Sequence, residues 1–517
     1  LYRALYGTEN LKENIHLREQ AGADEKRKEN NQEQRQDSPD NGKKRAVIAG
    51  AAGLAAVLIL IFLIAGTGGR NTGSILASST AQETRTAAEA EGETDSQDTA
   101  QTETEEIPGY VRPGMLMADP GESVDKVQLL GTGIACEDVV SVTFSDTLSG
   151  RPADCWDVSA GGDGSVWAWA EENGEGYELY IGAEGGVTAN PNSSRLFANC
   201  VSLRQVNGLE HFDTSQATDM SWMFYGCSGL TELDVSGFDT SQATDMEGMF
   251  YGCSGLTVLD TGGFDTSQVT DMGRMFYDCG SLAELDVSSF HTSRAADMGS
   301  MFNGCASLTE LDVSGFDTFQ VTDMGHMFSG CRSLTELDVS GFDTSQVTDM
   351  SSMFYECVSL TALDVSGFDT SRVANMMLMF CTCSSLTELD VSSFDTSQVT
   401  DMSYMFGRCS DLTVLDVSGF NTSQVADMQG MFSNCWDLTA LDVSSFDTSQ
   451  VTDMSYMFNE CSGLTELDVS GFNTSQVADM SAMFASCENL TRLDVSGFDM
   501  SKVENDGLML FNTPLDE

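Results

Sequence analysis

A cysteine recurs every 26 residues without a slip, at Cys227, Cys253, Cys279, Cys305, Cys331, Cys357, Cys383, Cys409, Cys435, Cys461 and Cys487. A fixed period in this range is the mark of a solenoid, in which identical turns stack into one elongated unit. Such a chain has a core only through its neighbouring coils. The functional question becomes what surface the repeated turn presents and where that surface is displayed.

One turn is well shown by Leu334 to Cys357, LTELDVSGFDTSQVTDMSSMFYEC. Its first half, Leu334-x-x-Leu337-x-Val339-x-x-Phe342, has the leucine-rich-repeat spacing, with Phe in the Asn place. Leu337 and Val339 lie two apart, so they share one side of a strand and Asp338 and Ser340 face the other. In the second half Val347, Met350, Phe354 and Cys357 are spaced 3, 4 and 3, which predicts one face of a short helix. Asp349 is placed as its N-cap, and Asp343 opens an Asx-turn at FDTS. The cysteine then sits on the inward helix face as a small hydrophobe. The Met columns, such as Met246, Met249, Met272 and Met275, read as core filling.

The strings LTELDVSGFDTSQVTDMSYMF…C resemble the 26-residue repeat of BspA-type leucine-rich-repeat surface proteins of bacteria. The segment 135–197, with SVTFSDTLSGRPADCWDVS and ELYIGAEGGVTANPNSSRLF, is similar to the stretch that precedes such repeats. The resemblance covers 135–517. It implies an exported surface protein of the adhesion, coaggregation or host-matrix-binding kind. The pattern departs at both ends. Cys200 to Cys227 is one residue too long, and after Phe498 the Met and Cys positions are lost and Pro514 enters, so both ends read as caps.

The flanks set the context. The chain begins with Leu1, so further sequence is expected upstream, and 1–45 is a polar, charge-mixed segment assigned to the cytoplasm. Residues 46–66, AVIAGAAGLAAVLILIFLIAG, carry no charge. They reach about 31 Å as a helix, enough to cross a bilayer. Lys43, Lys44 and Arg45 precede them and only Arg70 follows closely, which puts the N-terminus inside and the repeats outside. A signal anchor fits better than a cleaved signal peptide, whose apolar stretch is shorter. Residues 67–108 form a Ser/Thr/Glu-rich disordered linker. Residues 109–199 form a β-rich cap, with strands expected at Val139 to Phe144, Ser165 to Ala170 and Tyr177 to Ile181. Cys136 and Cys155 lie in this segment and could pair outside the cell. The repeats run over 200–498, and 499–517 form the C-terminal cap.

Charge excludes one class of function. Beyond Arg45 the chain carries 14 basic and 71 acidic residues, and Lys126 and Lys502 are its only lysines past Lys44. Such a field repels nucleic acid and attracts cations and basic proteins. One acidic column stands at the outward middle of the strand: Asp234, Asp260, Asp286, Asp312, Asp338, Asp364, Asp390, Asp416, Asp442, Asp468 and Asp494. Glu232, Glu284, Glu310, Glu336, Glu388 and Glu466 lie two residues earlier on the same face. Such a column is a solvated face, a site for a basic partner, or a Ca²⁺ ladder, although no calcium-loop motif is present. No zinc ligand set is expected, because the cysteines form no CxxC pair and the chain has four histidines. The repeats vary chiefly at Trp222, Arg274, Arg294, Phe319, His326, Arg332, Arg372, Arg408 and Trp436, as interface anchors or as neutral drift.

The expected fold is thus an α/β, leucine-rich-repeat-like right-handed solenoid of about 12 coils, with a small β-rich N-terminal cap and one N-terminal transmembrane helix. No nucleophile–base pair, phosphate loop or metal triad stands out, so the expected function is non-enzymatic and needs no cofactor. It is the binding of an extracellular protein or cell-surface macromolecule, preferably basic, from a single-pass membrane anchor. The alternatives are the ectodomain of a signalling receptor and a wall-associated spacer.

Overall fold

The computed structural model describes residues 115–117, 130 and 132–515. The expected polar segment 1–45, transmembrane anchor 46–66 and linker 67–108 lie outside the described residues. Among the described residues no helix is long and apolar enough to cross a membrane.

The cap is β-rich. Strand β1 (Met115–Leu116) leads to β2 (Val139–Ser145), β3 (Trp156–Asp157), β4 (Trp167–Glu172), β5 (Tyr177–Gly182) and β6 (Val187–Thr188). Two more strands, β7 (Gln205–Asn207) and β8 (Phe212–Asp213), belong to the first coil. A five-stranded sheet has the order β3-β4-β5-β2-β7, antiparallel through β3, β4 and β5 and parallel from β5 through β2 to β7. A second sheet runs β1-β6-β8, all parallel. Strand β2 alternates, so Val142 and Phe144 are buried while Ser141 and Thr143 are only half-buried. Phe144 stacks on Phe212 at 4.3 Å, which joins the cap core to the solenoid core.

The cap also joins the solenoid through the backbone. Strand β2 pairs with β7 at Ser141↔Gln205, Val142↔Val206 and Thr143↔Asn207, and the Arg204 amide donates to the Val140 carbonyl at 2.9 Å. Gly208 continues that register at φ +70°, where a Cβ would stand 2.2 Å from the Phe144 carbonyl oxygen. Only glycine fits both the left-handed backbone and the close approach. Cys136, Val139, Val142 and Phe144 repeat the Cys-x-x-Φ-x-x-Φ-x-Φ frame of a coil, such as Cys331, Leu334, Leu337 and Val339. The cap therefore carries a degenerate coil of its own.

The repeats are stacked coils whose inward columns are buried, but they contain no α-helix among the described residues. The α/β expectation is corrected on this point. In the coil of Met350 to Cys357, the amides of Met353, Tyr355 and Cys357 close turns onto the carbonyls of Met350, Ser352 and Phe354. The intervening amides of Ser352, Phe354 and Glu356 leave the coil and donate to Met377, Met379 and Cys381 of the next coil at 2.8–2.9 Å. Ser352 and Glu356 adopt φ +55° and +58°, which a helix cannot contain. Successive three-residue turns put apolar residues inward at the same 3 and 4 spacings as a helix face, which is why the sequence pattern misleads. Asp349 consequently caps no helix.

The leucine-rich strand is also shorter than its spacing suggests. Paired strands occur at β9 (Glu232–Leu233), β10 (Val258–Leu259) and β11 (Glu284–Leu285), with isolated bridges at Glu388↔Val414 and Glu466↔Arg492. The continuous ladder is elsewhere. Parallel bridges run without a gap from Asn192 through Asp219, Asp245 and their successors to Asn505.

Inside, Phe rings stack along the axis, with Phe302, Phe328 and Phe354 at centroid spacings of 5.7 and 5.8 Å. The cysteines of the 26-residue column, Cys227 through Cys487, are all at most 1% exposed. Each thiol donates to the Phe carbonyl of the preceding coil, as Cys253 does to Phe224 and Cys357 to Phe328, both at 3.2 Å.

The left-handed corners generate a prediction. Ser486 stands at φ +58° and Gly330 at φ +72°. Ser486→Gly is expected to raise stability by about 0.5 kcal/mol and Gly330→Ala to lower it by about 1 kcal/mol. The urea midpoint at unchanged m-value is the measurement.

Candidate functional site

The acidic columns are the chemistry this surface offers, and each is made by a local turn. The column from Asp234 to Asp494 is exposed throughout. Its members do not lie mid-strand. At β9, β10 and β11 the Asp stands just beyond the paired segment, and the turn that follows it is closed at Asp338 by the Phe342 amide on the Val339 carbonyl at 3.0 Å. Asp338 Oδ1 accepts the Ser340 amide at 3.0 Å and the Ser340 hydroxyl at 2.6 Å. The same pair of bonds recurs at Asp234, Asp312, Asp364 and Asp390. Asp260 has a glycine two residues on, so it accepts only the Gly262 amide, at 2.9 Å. This column thus has the structural role that its sequence reading lacked. Oδ1 holds the turn, and Oδ2 takes no part in it.

Bonding to the ionised form lowers the affinity of these carboxylates for protons. The Ser340 hydroxyl, then its amide, holds Asp338 below the usual carboxylate range. The equivalent serines do the same at Asp286, Asp312, Asp416, Asp442, Asp468 and Asp494. The FDTS column behaves alike: Asp265 and Asp369 are lowered by Ser267 and Ser371.

A third column, read from sequence as helix caps, is different in kind. Asp245, Asp271 and Asp427 are half-buried members of the continuous ladder. Their Oδ1 atoms accept the amides two residues on, as Asp271 does from Gly273 at 3.0 Å and Asp427 from Gln429 at 2.8 Å. Burial nevertheless dominates, and pushes Asp271 and Asp427 up to about 6. Neighbouring carboxylates add to it, from Asp297, Glu247 and Asp245 at the first and from Asp401 and Asp453 at the second. Asn375 and Asn505 interrupt and end the ladder, and donate to Asp349 at 3.3 Å and to Asp479 at 3.0 Å. The sequence signal for this column was present in the strict alignment of TDM and ADM, but a helix cap accounted for it equally well.

The variable positions are mostly committed between coils. Arg274 pairs with Glu247 at 2.6 Å, Arg332 with Glu356, and Arg294 and Arg372 reach Gln268 and Gln346 of the preceding coil. Trp222 packs beside Tyr225 and Tyr251 in an aromatic run that continues to Tyr277. His326 is held below its ordinary range by burial. Phe319 and Trp436 are the exposed aromatics of this set, at 57% and 49%.

The cysteine column is chemically quiet. Burial pushes Cys253, Cys305 and Cys357 up to about 12, so no thiolate is available there at neutral pH. Among the described residues no group of three or more His, Cys, Asp or Glu side chains is arranged to hold a metal ion.

A family described as "Mycoplasma protein of unknown function, DUF285" matches residues 191–310, 281–362, 359–440 and 411–515. No curated protein matches the chain. Among solved structures, a leucine-rich repeat protein from Bacteroides ovatus aligns at 14% identity and a TM-score of 0.31, over 66% of this chain and 83% of that one.

The two kinds of carboxylate predict opposed pH responses. Groups raised to about 6 cost the folded state nothing below the unfolded value of 3.8, and destabilise it as pH rises through 6. Groups held low stabilise the fold above 3.8 and lose that contribution as pH falls below it. Thermal stability is therefore expected to peak near pH 4–5. At pH 7, Asp271→Asn is expected to raise it by roughly 1 kcal/mol, reduced by solvent screening from about 3 kcal/mol for two pK units. A melting series from pH 3 to 8 on both proteins checks the peak and the effect.

Proposed function

The chain belongs to the DUF285 family, and from that premise we propose a non-enzymatic repeat protein, anchored in the membrane by 46–66 and displaying its coils outside the cell. Its ligand class is a basic extracellular protein or cell-surface macromolecule, held by many weak contacts along the acidic face. The 26-residue repeat's likeness to BspA-type surface repeats supports this reading, as does the near-absence of lysine beyond Lys44.

The observation that carries the proposal is the exposed column from Asp234 to Asp494. Its carboxylates are each fixed by a turn, with one oxygen outside the turn's hydrogen bonds. Stacked coils stand about 4.8 Å apart where their backbones pair. Neighbouring charges at that spacing repel by about 0.9 kcal/mol even at the dielectric of water, before salt reduces it. A solvated column bears this cost permanently. A partner with lysines or arginines along its surface relieves it at several coils at once, and the linked contacts add as avidity. Fixed carboxylates also lose little freedom on binding, which favours affinity.

The test is capture of surface proteins by the full chain at low and at high salt, then affinity for the captured partner. Replacing Asp312, Asp338, Asp364 and Asp390 together by Asn removes four charges and keeps four turn acceptors. Binding is expected to weaken at least about tenfold while the chain still melts in one cooperative transition. A partner held equally well by this variant, or the lack of any salt-sensitive partner, overturns the proposal in favour of a spacer.

A further inference from the structure

The cap and the first coil meet at a pair of thiols. Strand β2 and strand β7 are in parallel register with Ser141 opposite Gln205, an offset of 64 residues. Cys136 and Cys200 are separated by the same 64 residues, so the register that pairs the strands also brings these cysteines level. Cys136 sits in the 3₁₀ turn Cys136–Asp138, which leads directly into β2. Both are buried, at 3% and 0% exposure, and after burial itself the neighbouring Cys136 thiol is the chief influence that raises Cys200. Elsewhere in the column each thiol from Cys227 to Cys487 donates to a Phe carbonyl, beginning with Cys227 to Phe197 at 3.0 Å. Cys200 stands apart from that series, with the Cys136 thiol as its neighbour. Cys155 stands on another loop and is only half-buried.

We infer that Cys136 and Cys200 are a redox site, which a small-molecule or enzyme-bound disulfide oxidises to one disulfide that fastens the cap to the first coil. Adjacent strands stand about 4.8 Å apart, inside the Cα range that a disulfide spans. In the first step one thiol loses its proton, and the thiolate attacks the oxidant's S–S bond. A mixed disulfide forms and one thiolate of the oxidant leaves. The second thiolate then attacks the protein sulfur of that mixed disulfide and releases the oxidant's other sulfur. The protein loses two protons and two electrons, and the oxidant becomes two thiols. Burial pushes the Cys200 thiol well above its ordinary range, so the reaction belongs to folding or to moments when the cap opens. The remaining column thiols stay reduced, because their partners are carbonyls of well-packed coils.

The bond would close a loop through most of the cap, 137–199, and so restrict the opening of that segment. It replaces the pairing of Cys136 with Cys155 that proximity in sequence suggested. An oxidising setting rests on the export proposed above, whereas the formation of the bond does not. The two can therefore fail separately.

The experiment refolds the full chain from denaturant in a glutathione buffer rich in oxidised glutathione. Free thiols are then alkylated under denaturing conditions, and the chain is digested without reduction for mass spectrometry. The expected product is a single linked peptide pair joining Cys136 and Cys200, with the other 13 cysteines alkylated. The oxidised chain is expected to lose its cap to a protease at least about tenfold more slowly than the reduced chain. Cys155→Ser leaves that difference intact, and Cys136→Ser abolishes it. A Cys136–Cys155 or Cys200–Cys227 link overturns the inference, as does full alkylation of both Cys136 and Cys200. The peptide readout on the unmodified chain decides the matter even where a variant folds poorly.

Discussion

Every coil of this molecule is held by backbone amides that leave it. At each turn face the alternate amides of a coil donate along the axis, and the carbonyls between them accept from the coil before. An isolated coil would leave these groups to water and would have no second layer to bury its Phe and Met. The axial ladder therefore holds the turn faces in register, and it does so even across the 27-residue spacing of the first coil, where Arg195 and Phe197 donate to Ser221 and Met223. It also dictates the left-handed corners at Ser352, Glu356 and their equivalents, since the chain must reverse its amide direction without leaving the plane of the coil. The strain of non-glycine residues there is offset by the bonds that the geometry completes.

The cysteine at the end of each turn face follows from the same ladder. The Phe carbonyl that accepts the turn amide of its own coil also faces the thiol of the next, as Phe328 does for Cys331 and Cys357. A small side chain with a weak donor satisfies the second lone pair of that carbonyl without opening a cavity. Alanine would fill most of the volume but leave the lone pair unmet, and serine would bury a stronger polar group. A thiol is the compromise that packing and hydrogen bonding share.

The period, the inward columns and the β character of the cap were legible in the sequence because each leaves a direct mark. A repeated apolar position must be buried somewhere, and Val347, Met350, Phe354 and Cys357 are. The helix was not excluded by pattern, because turns closed every third residue project side chains inward at the spacing of a helix face. The feature that separates the two is backbone sign at Ser352 and Glu356, and neither residue type announces it. The carboxylates were misassigned for a related reason. Asp349 precedes an apolar turn in either geometry, and only the stacking of coils makes it a ladder. The degenerate coil in the cap was visible in principle, since Cys136, Val139, Val142 and Phe144 keep the frame. Its offset of 64 residues, in place of 26, concealed it from a search by period.

Uniform repetition constrains function as strongly as fold. Where each coil repeats the last, the chemistry of one coil's surface recurs along the described length. Departures from uniformity then become the informative places. Asn375 breaks the half-buried carboxylate ladder into two runs, and its amide donates to Asp349 where another carboxylate would repel. Asn505 does the same for Asp479 at the far end, and Asn192 begins the ladder beside Asp219. A neutral amide keeps the acceptor that holds the turn and removes the charge that its neighbours oppose. The interruptions therefore bound the length over which like charges accumulate in a partly dry environment. On the exposed face no such interruption occurs from Asp234 to Asp494, because water and salt already screen each neighbour. The solenoid thus limits charge where burial makes it costly and leaves it unbroken where water and salt screen it.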